Sequence, residues 1–149
     1  LHDMRQPLNE KFDLILNLFT SFGYYQNDKD NISVIKSIKY NLNSEGKAVI
    51  DFLNIDYVLN NLIKYEEKVF DKTRFVIKRY LENNLLVKDI TIDSNNKAYK
   101  FQEKVKTYGL VDFLTMSKEC GLELKEKFGD YNLNTFNKNS SPRLIMVFE

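Results

Sequence analysis

The sequence has few of the residues from which disulfides and metal sites are built. It contains one cysteine, Cys120, one histidine, His2, and no tryptophan. A lone cysteine excludes an internal disulfide, and a lone histidine excludes the Cys/His spacing of a metal site. We therefore expect a reduced, metal-free protein of the cytoplasm.

An excess of charge of either sign is also lacking. Twenty-two basic residues face twenty-one acidic ones, which leaves a formal charge of +1. Such a chain has no long-range field for phosphate backbones or anionic membranes. No apolar run approaches the roughly 20 residues needed to cross a bilayer, and the first residues do not resemble a signal peptide. Composition thus disfavours nucleic acid and membranes as partners.

What is present is enough apolar material for one core. The 149 residues are 43% hydrophobic and 13% aromatic, so one compact domain over 1–149 is expected. A nearly continuous apolar run, 12–19, predicts a buried strand covered on both faces. An amphipathic helix follows, capped by Asp30 or Asn31 and stopped by Gly46, and 47–53 predicts a second buried strand. This order indicates a right-handed parallel crossover.

The second half predicts a shorter helix, an antiparallel meander and a closing strand pair. Asn54 is placed to cap the helix, whose apolar residues recur at helical spacing up to Ile63. Alternation in the meander's last strand predicts that the face carrying Tyr99 and Phe101 is covered. The meander strands are 73–80, 85–92 and 98–106, with turns at 82–84 and 93–96; a last helix ends at 120–121, and strands 122–128 and 144–148 close the sheet.

The richest candidate site is the stretch from Asn17 to Tyr25. It leaves a buried strand and exposes an amide, two hydroxyls, a glycine and four aromatic rings. In open parallel α/β sheets, ligands bind beyond the carboxyl ends of the strands. The alternative interpretation is a strand end packed by ordinary core aromatics, with Gly23 supplying a tight turn.

The order of these segments resembles the class I S-adenosylmethionine-dependent methyltransferases, in their small-molecule branch. Asp3-Met4-Arg5 and the string from Phe12 to Tyr24 look like the family's middle motifs, 46–52 like its fifth strand, and 121–124 and 141–145 like its closing strands. The resemblance covers essentially the whole chain. It implies a partial Rossmann-like α/β sheet, parallel with a closing antiparallel strand, and an inserted antiparallel β meander.

The resemblance also implies a cofactor, S-adenosyl-L-methionine, and residues that bind it. Asp3 would accept a hydrogen bond from the adenine amino group, with the Met4 amide nearby. Asn17, Leu18 and Phe19 would line the methionine portion. The alternative interpretation of Asp3 is an aspartate that belongs to a turn. The alternative for Asn17, Leu18 and Phe19 is ordinary core packing. Asp13 matches a strand-starting aspartate of the family, and we interpret it as structural.

For the acceptor, the resemblance implies an unidentified small molecule and a lid at 73–106. Methyl transfer from a sulfonium mainly requires that the reactants be aligned and desolvated, so no catalytic base is assigned. If a base is needed, the candidates are Tyr24, Tyr25 and Tyr131. The two arginines could clasp an anionic acceptor, and surface ion pairs are the alternative. The candidate acceptor-binding residues are Ser21, Tyr24, Tyr25, Arg79, Tyr131 and Arg143.

The family's glycine-rich motif and ribose-binding acid are not found in these residues. We therefore expect a carboxyl-terminal fragment that is inactive alone and that could form a homo-oligomer through an unpaired sheet edge. Two non-enzymatic alternatives remain open: a module that binds single-stranded nucleic acid through its Lys- and Tyr-rich meander, and a protein-assembly module.

Overall fold

The computed structural model of the protein describes residues 1–95 and 97–149, and it contains two four-stranded sheets and three helices. Asn96, the last residue of the second predicted meander turn, lies outside the described residues. The elements are β1 (Phe12–Asn17), α1 (Asp28–Asn41), β2 (Leu42–Leu53), α2 (Ile55–Asn60), β3 (Tyr65–Phe70), β4 (Thr73–Glu82), β5 (Leu85–Ser94), β6 (Lys97–Lys106), α3 (Leu110–Glu119), β7 (Leu124–Phe128) and β8 (Arg143–Phe148).

The first sheet has the order β1-β2-β8-β7 and confirms the predicted α/β architecture. β1 and β2 are parallel and joined through α1, whereas β8 pairs antiparallel with both β2 and β7. β1 is an edge strand, and Leu14 and Leu16 are each 54% exposed. The prediction that this strand is covered on both faces was therefore wrong, since no described helix packs over those two leucines.

Two predicted helix boundaries differ from the structure for identifiable reasons. α1 begins earlier than predicted because Asn27, not Asp30 or Asn31, caps it: its side chain accepts from the Lys29 amide at 3.0 Å. At the other end the chain passes directly from α1 into β2, so Gly46 lies within a strand. A Cβ there would approach the Phe12 carbonyl oxygen to 2.8 Å, and this glycine permits close strand contact instead of stopping a helix.

The second sheet is antiparallel, in the order β3-β4-β5-β6, and has one more strand than the sequence predicted. Its β4–β5 turn is the predicted Asn pair: Asn83 and Asn84 have φ of 49° and 59°, as a two-residue hairpin requires. Tyr99 is 49% exposed and Phe101 is 55% exposed, so the prediction of a covered face was wrong there. The cover reaches only the carboxyl end of β6, where Val105 is 7% exposed.

The core lies between the first sheet and the helices α1 and α3, and it is closed by an aromatic cluster. Phe22, Phe52 and Phe113 are at most 1% exposed, with ring centroids 5.1 to 6.4 Å apart. Because Phe22 follows β1 and Phe52 lies near the carboxyl end of β2, this cluster fixes the chain leaving β1 against the sheet. No helix among the described residues is long and apolar enough to span a membrane.

Candidate functional site

The candidate site is the turn Leu18–Tyr25, which leaves the carboxyl end of β1 beside the carboxyl end of β2. Phe19 and Thr20 adopt φ of 56° and 60°, a left-handed conformation that is uncommon for residues with side chains. Both can be held there only by surrounding contacts, because each costs free energy. The turn is thus a preorganised feature at the sheet edge where ligands of this architecture bind.

A buried carboxylate supplies those contacts. Asp51 is 1% exposed, and its Oδ2 accepts from the Phe19 amide at 2.8 Å and the Tyr131 hydroxyl at 2.9 Å. Its Oδ1 faces Arg143, whose Nε donates at 2.8 Å and whose Nη2 lies at 2.7 Å. The Asp51 carbonyl also accepts from the Thr20 amide at 3.1 Å. Three hydrogen-bond donors and the ion pair with Arg143 therefore satisfy a carboxylate charge that would otherwise be costly to bury.

Arg143 and Tyr131 belong to this network, and both were predicted to bind the methyl acceptor. Arg143 also donates to the Thr20 hydroxyl at 2.8 Å, so the ion-pair interpretation accounts for its guanidinium. Burial and the bond to Asp51 raise the pKa of Tyr131. The rings of Phe19 and Tyr131 stay 75% and 60% exposed, with centroids 6.3 Å apart at an edge-to-face angle. Together they offer an aromatic wall beside the turn, and their roles toward a ligand stay predictions.

The residues predicted to bind adenine lie on the other side of the turn. The Asp3 carboxylate accepts from Arg5 Nη2 at 2.7 Å and from the Tyr25 hydroxyl at 3.1 Å. Hydrogen bonding to Arg5 lowers the pKa of Asp3 well below its usual range. Arg5 also stacks over the Tyr25 ring, 4.7 Å from its centroid. Tyr25 is thus packed within this cluster, and the Asp3 carboxylate, which is 39% exposed, already accepts hydrogen bonds from Arg5 and Tyr25.

Met4 and Asn17 line one cavity, although the sequence separates them. It has a volume of about 250 Å³, is mainly apolar, and lies between the amino-terminal segment, β1 and α1. Asn17 is 7% exposed, and its Oδ1 accepts from the Ser21 hydroxyl at 3.2 Å. Leu18 contributes its carbonyl, to which Ser21 donates at 2.8 Å. Ser21 therefore stabilises the turn, and its predicted contact with an acceptor stays a prediction.

Tyr24 and Arg79 line a second cavity, of about 260 Å³, between the turn, α2 and the second sheet. Burial, and then the nearby Glu103, raise the pKa of Tyr24. Arg79 is bonded to Glu66 at 2.8 Å and to the Ile63 carbonyl at 3.2 Å. Its guanidinium is therefore already paired. The polar part of the remaining wall is Thr20 and the ion pair of Lys88 with Glu103, at 3.1 Å. The apolar part comes from Leu53, Val58, Leu62, Leu86 and Val105.

Sequence reasoning missed the residue that organises the site. Asp51 stands in the apolar run 48–53, and an acid in a predicted buried strand is a signal of a paired or functional charge. Glu103 and Thr20 were also missed. Glu103 alternates with lysines and carried no distinguishing signal, whereas Thr20 was quoted in the candidate string without a role.

Comparison with known proteins gives matches at the level of structure alone. No family model matches the sequence, and no curated protein matches it. A methyltransferase described as S-adenosylmethionine-dependent, from Clostridium acetobutylicum, superposes with a TM-score of 0.86 at 19% identity, over 99% of this chain and 62% of its own. The CcbJ methyltransferase of Streptomyces caelestis gives 0.83 at 14% identity, over 100% and 62%.

A third match is the amino pentose methyltransferase CalS10 of Micromonospora echinaspora, solved with S-adenosylmethionine bound. Its TM-score is 0.69 at 12% identity, over 99% of this chain and 62% of its own. All three matches cover this chain almost completely and leave more than a third of the other chain unmatched. The chain therefore has the fold of S-adenosylmethionine-dependent methyltransferases. It spans 62% of the length of each of these three structures.

Proposed function

We propose that this chain is the carboxyl-terminal part of a methyltransferase that transfers a methyl group from S-adenosyl-L-methionine to a small-molecule acceptor. The observation that carries the proposal is the left-handed turn at Phe19 and Thr20, at the carboxyl edge of a methyltransferase-type sheet, with a cavity on either side. The matched structures include an amino pentose methyltransferase, which supports a small molecule as acceptor.

The residues present fit one side of the cofactor. Asp3 offers an ionised acceptor for an amino group, and the cavity lined by Met4 and Asn17 is mainly apolar, as an adenine or thioether surface requires. The part of the chain that the structure describes contains no glycine-rich turn that could receive the carboxylate and ribose of the cofactor. Unpaired polar groups in a buried site cost about 1–3 kcal/mol each, so this chain alone should bind the cofactor poorly.

The bound cofactor would supply a methyl group already activated on a sulfonium. The protein then has to hold the acceptor in line and exclude water. The apolar wall of the second cavity suits both tasks. Tyr24, Tyr25 and Tyr131 are poor general bases, since the pKa of each phenol is raised above its usual value of 10.0. Tyr24 suits hydrogen-bond donation to the acceptor, because the hydroxyl protons of Tyr25 and Tyr131 are donated to Asp3 and Asp51. Glu103, which pairs with Lys88 at 3.1 Å, is the acidic group that lines the cavity.

Calorimetric titration of S-adenosylhomocysteine tests the proposal. We expect binding to the full-length translation product and no measurable binding to residues 1–149 alone. Absence of binding to both would contradict the assignment as a methyltransferase. Tight binding to 1–149 alone would contradict the inference that the cofactor site needs further residues.

The lid and the acceptor cavity call for a separate measurement. In the active full-length enzyme, Glu103→Gln is expected to raise the KM for the acceptor while the affinity for S-adenosylhomocysteine stays unchanged. Glu126→Gln, a change on the exposed strand β7, is the matched control. An equal loss of acceptor and cofactor binding would show that the 73–106 segment does not form a separate acceptor site.

A further inference from the structure

Asp51 differs from every other acid in this chain that the structure describes, because its carboxylate is both deeply buried and bonded to two exposed aromatic residues of the site. The Phe19 amide donates to the Asp51 carboxylate at 2.8 Å, and the Tyr131 hydroxyl donates to it at 2.9 Å. The mechanism proposed above does not use Asp51. A buried charge without a role in chemistry calls for a structural explanation at the site itself.

We propose that Asp51 is a positioning residue, which holds the Phe19–Thr20 turn in its left-handed conformation and thereby sets the position of Phe19, which is predicted to line the methionine portion of the cofactor, and of Tyr131 beside it. The inference rests on the proposed function for its ligand, although the geometry of the turn is independent of it. The turn contacts Asp51 through two backbone amides. The Phe19 amide donates to Asp51 Oδ2, and the Thr20 amide donates to the Asp51 carbonyl.

The charge of Asp51 is needed because the carboxylate is acceptor-only. Its Oδ2 faces two donors, and its Oδ1 faces two nitrogens of Arg143. An asparagine would place an amide NH₂ against one of these pairs and would replace a charge-assisted hydrogen bond by a repulsive contact. Arg143 completes the arrangement from the neighbouring strand. It neutralises Asp51 and donates a hydrogen bond to the Thr20 hydroxyl. The Asp51–Arg143 pair is therefore hydrogen-bonded to both left-handed residues, Phe19 and Thr20.

Amide hydrogen exchange in the full-length protein tests the geometry. In Asp51→Asn we expect the Phe19 amide to exchange at least about tenfold faster, because one charge-assisted hydrogen bond is lost. Core amides such as those of Ile50 and Met146 report global opening and should change far less. If Asp51→Asn does not fold, Tyr131→Phe removes one donor without stranding a charge, and a smaller acceleration of the same amide is expected.

Affinity for S-adenosylhomocysteine in the same variants tests the role. We expect the Kd to rise about tenfold in Asp51→Asn and by less in Tyr131→Phe. Tyr57→Phe, on α2, is the control for loss of a phenol hydroxyl and should change neither measurement. An unchanged Kd in a variant whose Phe19 amide exchanges faster would overturn the positioning role. Unaltered exchange in both variants would overturn the geometry, and a wild-type protein that does not bind the compound would overturn the proposed function instead.

Discussion

The ion pair of Asp51 and Arg143 illustrates how a single buried acid governs backbone conformation. Arg143 is 19% exposed at its side chain and Asp51 is 1% exposed, so the pair is largely shielded from water. Such pairs give little net stability, since desolvation offsets their attraction, but removing one partner alone is strongly destabilising. The pair is better explained by what it fixes, which is the strained turn at Phe19 and Thr20.

A glycine in the same turn should be hard to replace. Gly23 has φ of 85°, and an added Cβ would lie 3.2 Å from the Phe52 ring. We expect Gly23→Ala to destabilise the protein by about 2–3 kcal/mol, from backbone strain and overpacking together. Gly121 has φ of 73° with open space around it, so Gly121→Ala should cost about 1 kcal/mol, from strain alone. Urea denaturation measures both, and equal losses would exclude a packing contribution at Gly23.

Two acids of the second sheet should titrate far below their ordinary pKa. Lys68 and Arg79 lower the pKa of Glu66 to about 2, and Arg74 lowers the pKa of Glu67 to about 2. Because both values are depressed from 4.5, these ion pairs contribute fully above pH 4.5 and are lost as the pH falls toward 2. Carboxyl carbon NMR shifts followed against pH measure this.

The matched control lies within the same pair of acids. Arg74→Met should return the pKa of Glu67 toward its ordinary range and leave that of Glu66 low, since different cations hold the two. Parallel shifts of both acids would indicate that the sheet itself had rearranged.

Some of these residue-level contacts could be read from the sequence, and others could not. Asp3 and Arg5 are two positions apart, so their pairing is local. Asp51 and Arg143 are 92 positions apart and become neighbours only because β8 pairs antiparallel with β2. Arg143 was singled out as a candidate acceptor-binding residue, and its pairing with Asp51 was not predicted because it depends on a strand pairing that no local pattern encodes.

At the scale of elements, apolar periodicity predicted the strands and helices of the first sheet well, and their ends poorly. The strand run 12–19 was extended past Asn17 because Leu18 and Phe19 continue the apolar composition while the backbone turns left-handed. Asn54 does precede α2, but its side chain donates to the carbonyls of Lys138 and Ser141 at 2.8 Å instead of capping the helix. Tertiary hydrogen bonds thus outweighed the local capping preference.

The docking of α3 should depend on one ring. Phe113 is 0% exposed and contacts Phe22 and Phe52, whereas its neighbour Leu114 is 40% exposed. We expect Phe113→Ala to lower the free energy of unfolding by about 3–5 kcal/mol, and Leu114→Ala by less than about 1 kcal/mol. Denaturant melts of the two variants provide the comparison, and similar losses would contradict the claim that the buried Phe113 ring controls the docking of α3, since alanine raises helix propensity at both positions.

For the whole molecule, the exposed edge of the first sheet should cause self-association of the 149-residue chain. Leu14 and Leu16 lie half-exposed on a strand with a free edge, a combination that favours pairing between chains. We expect light scattering to show a mass that rises with concentration, and Leu14→Lys with Leu16→Lys to suppress the rise. Val111→Lys, at a site that is 74% exposed on α3, controls for the added charge. A mass independent of concentration in the unsubstituted chain would refute this expectation.

The fold class and the presence of a second antiparallel sheet were expected from the sequence, but the strand order of the first sheet and the extent of the second sheet were not. Its first strand, β3, is rich in charge and carries Tyr65, Val69 and Phe70 at the surface, so its apolar pattern is too weak to predict a strand. β3 forms because β4 offers it a complete ladder of hydrogen bonds, which is a property of the assembled hairpin.

Polar contacts at one corner join the second sheet to the rest of the molecule. There the Lys106 amide donates to the Gly23 carbonyl at 2.9 Å, the Lys106 ammonium pairs with Asp28 at 2.8 Å, and Tyr108 donates to Asp28 at 2.6 Å. Among relatives we therefore expect the hairpins of the second sheet to vary in length and composition, and the residues at this corner to be conserved. Grafting the outer strands of a matched methyltransferase structure onto this corner would test the proposal that the second sheet selects the acceptor, and it should leave the helices beneath undisturbed.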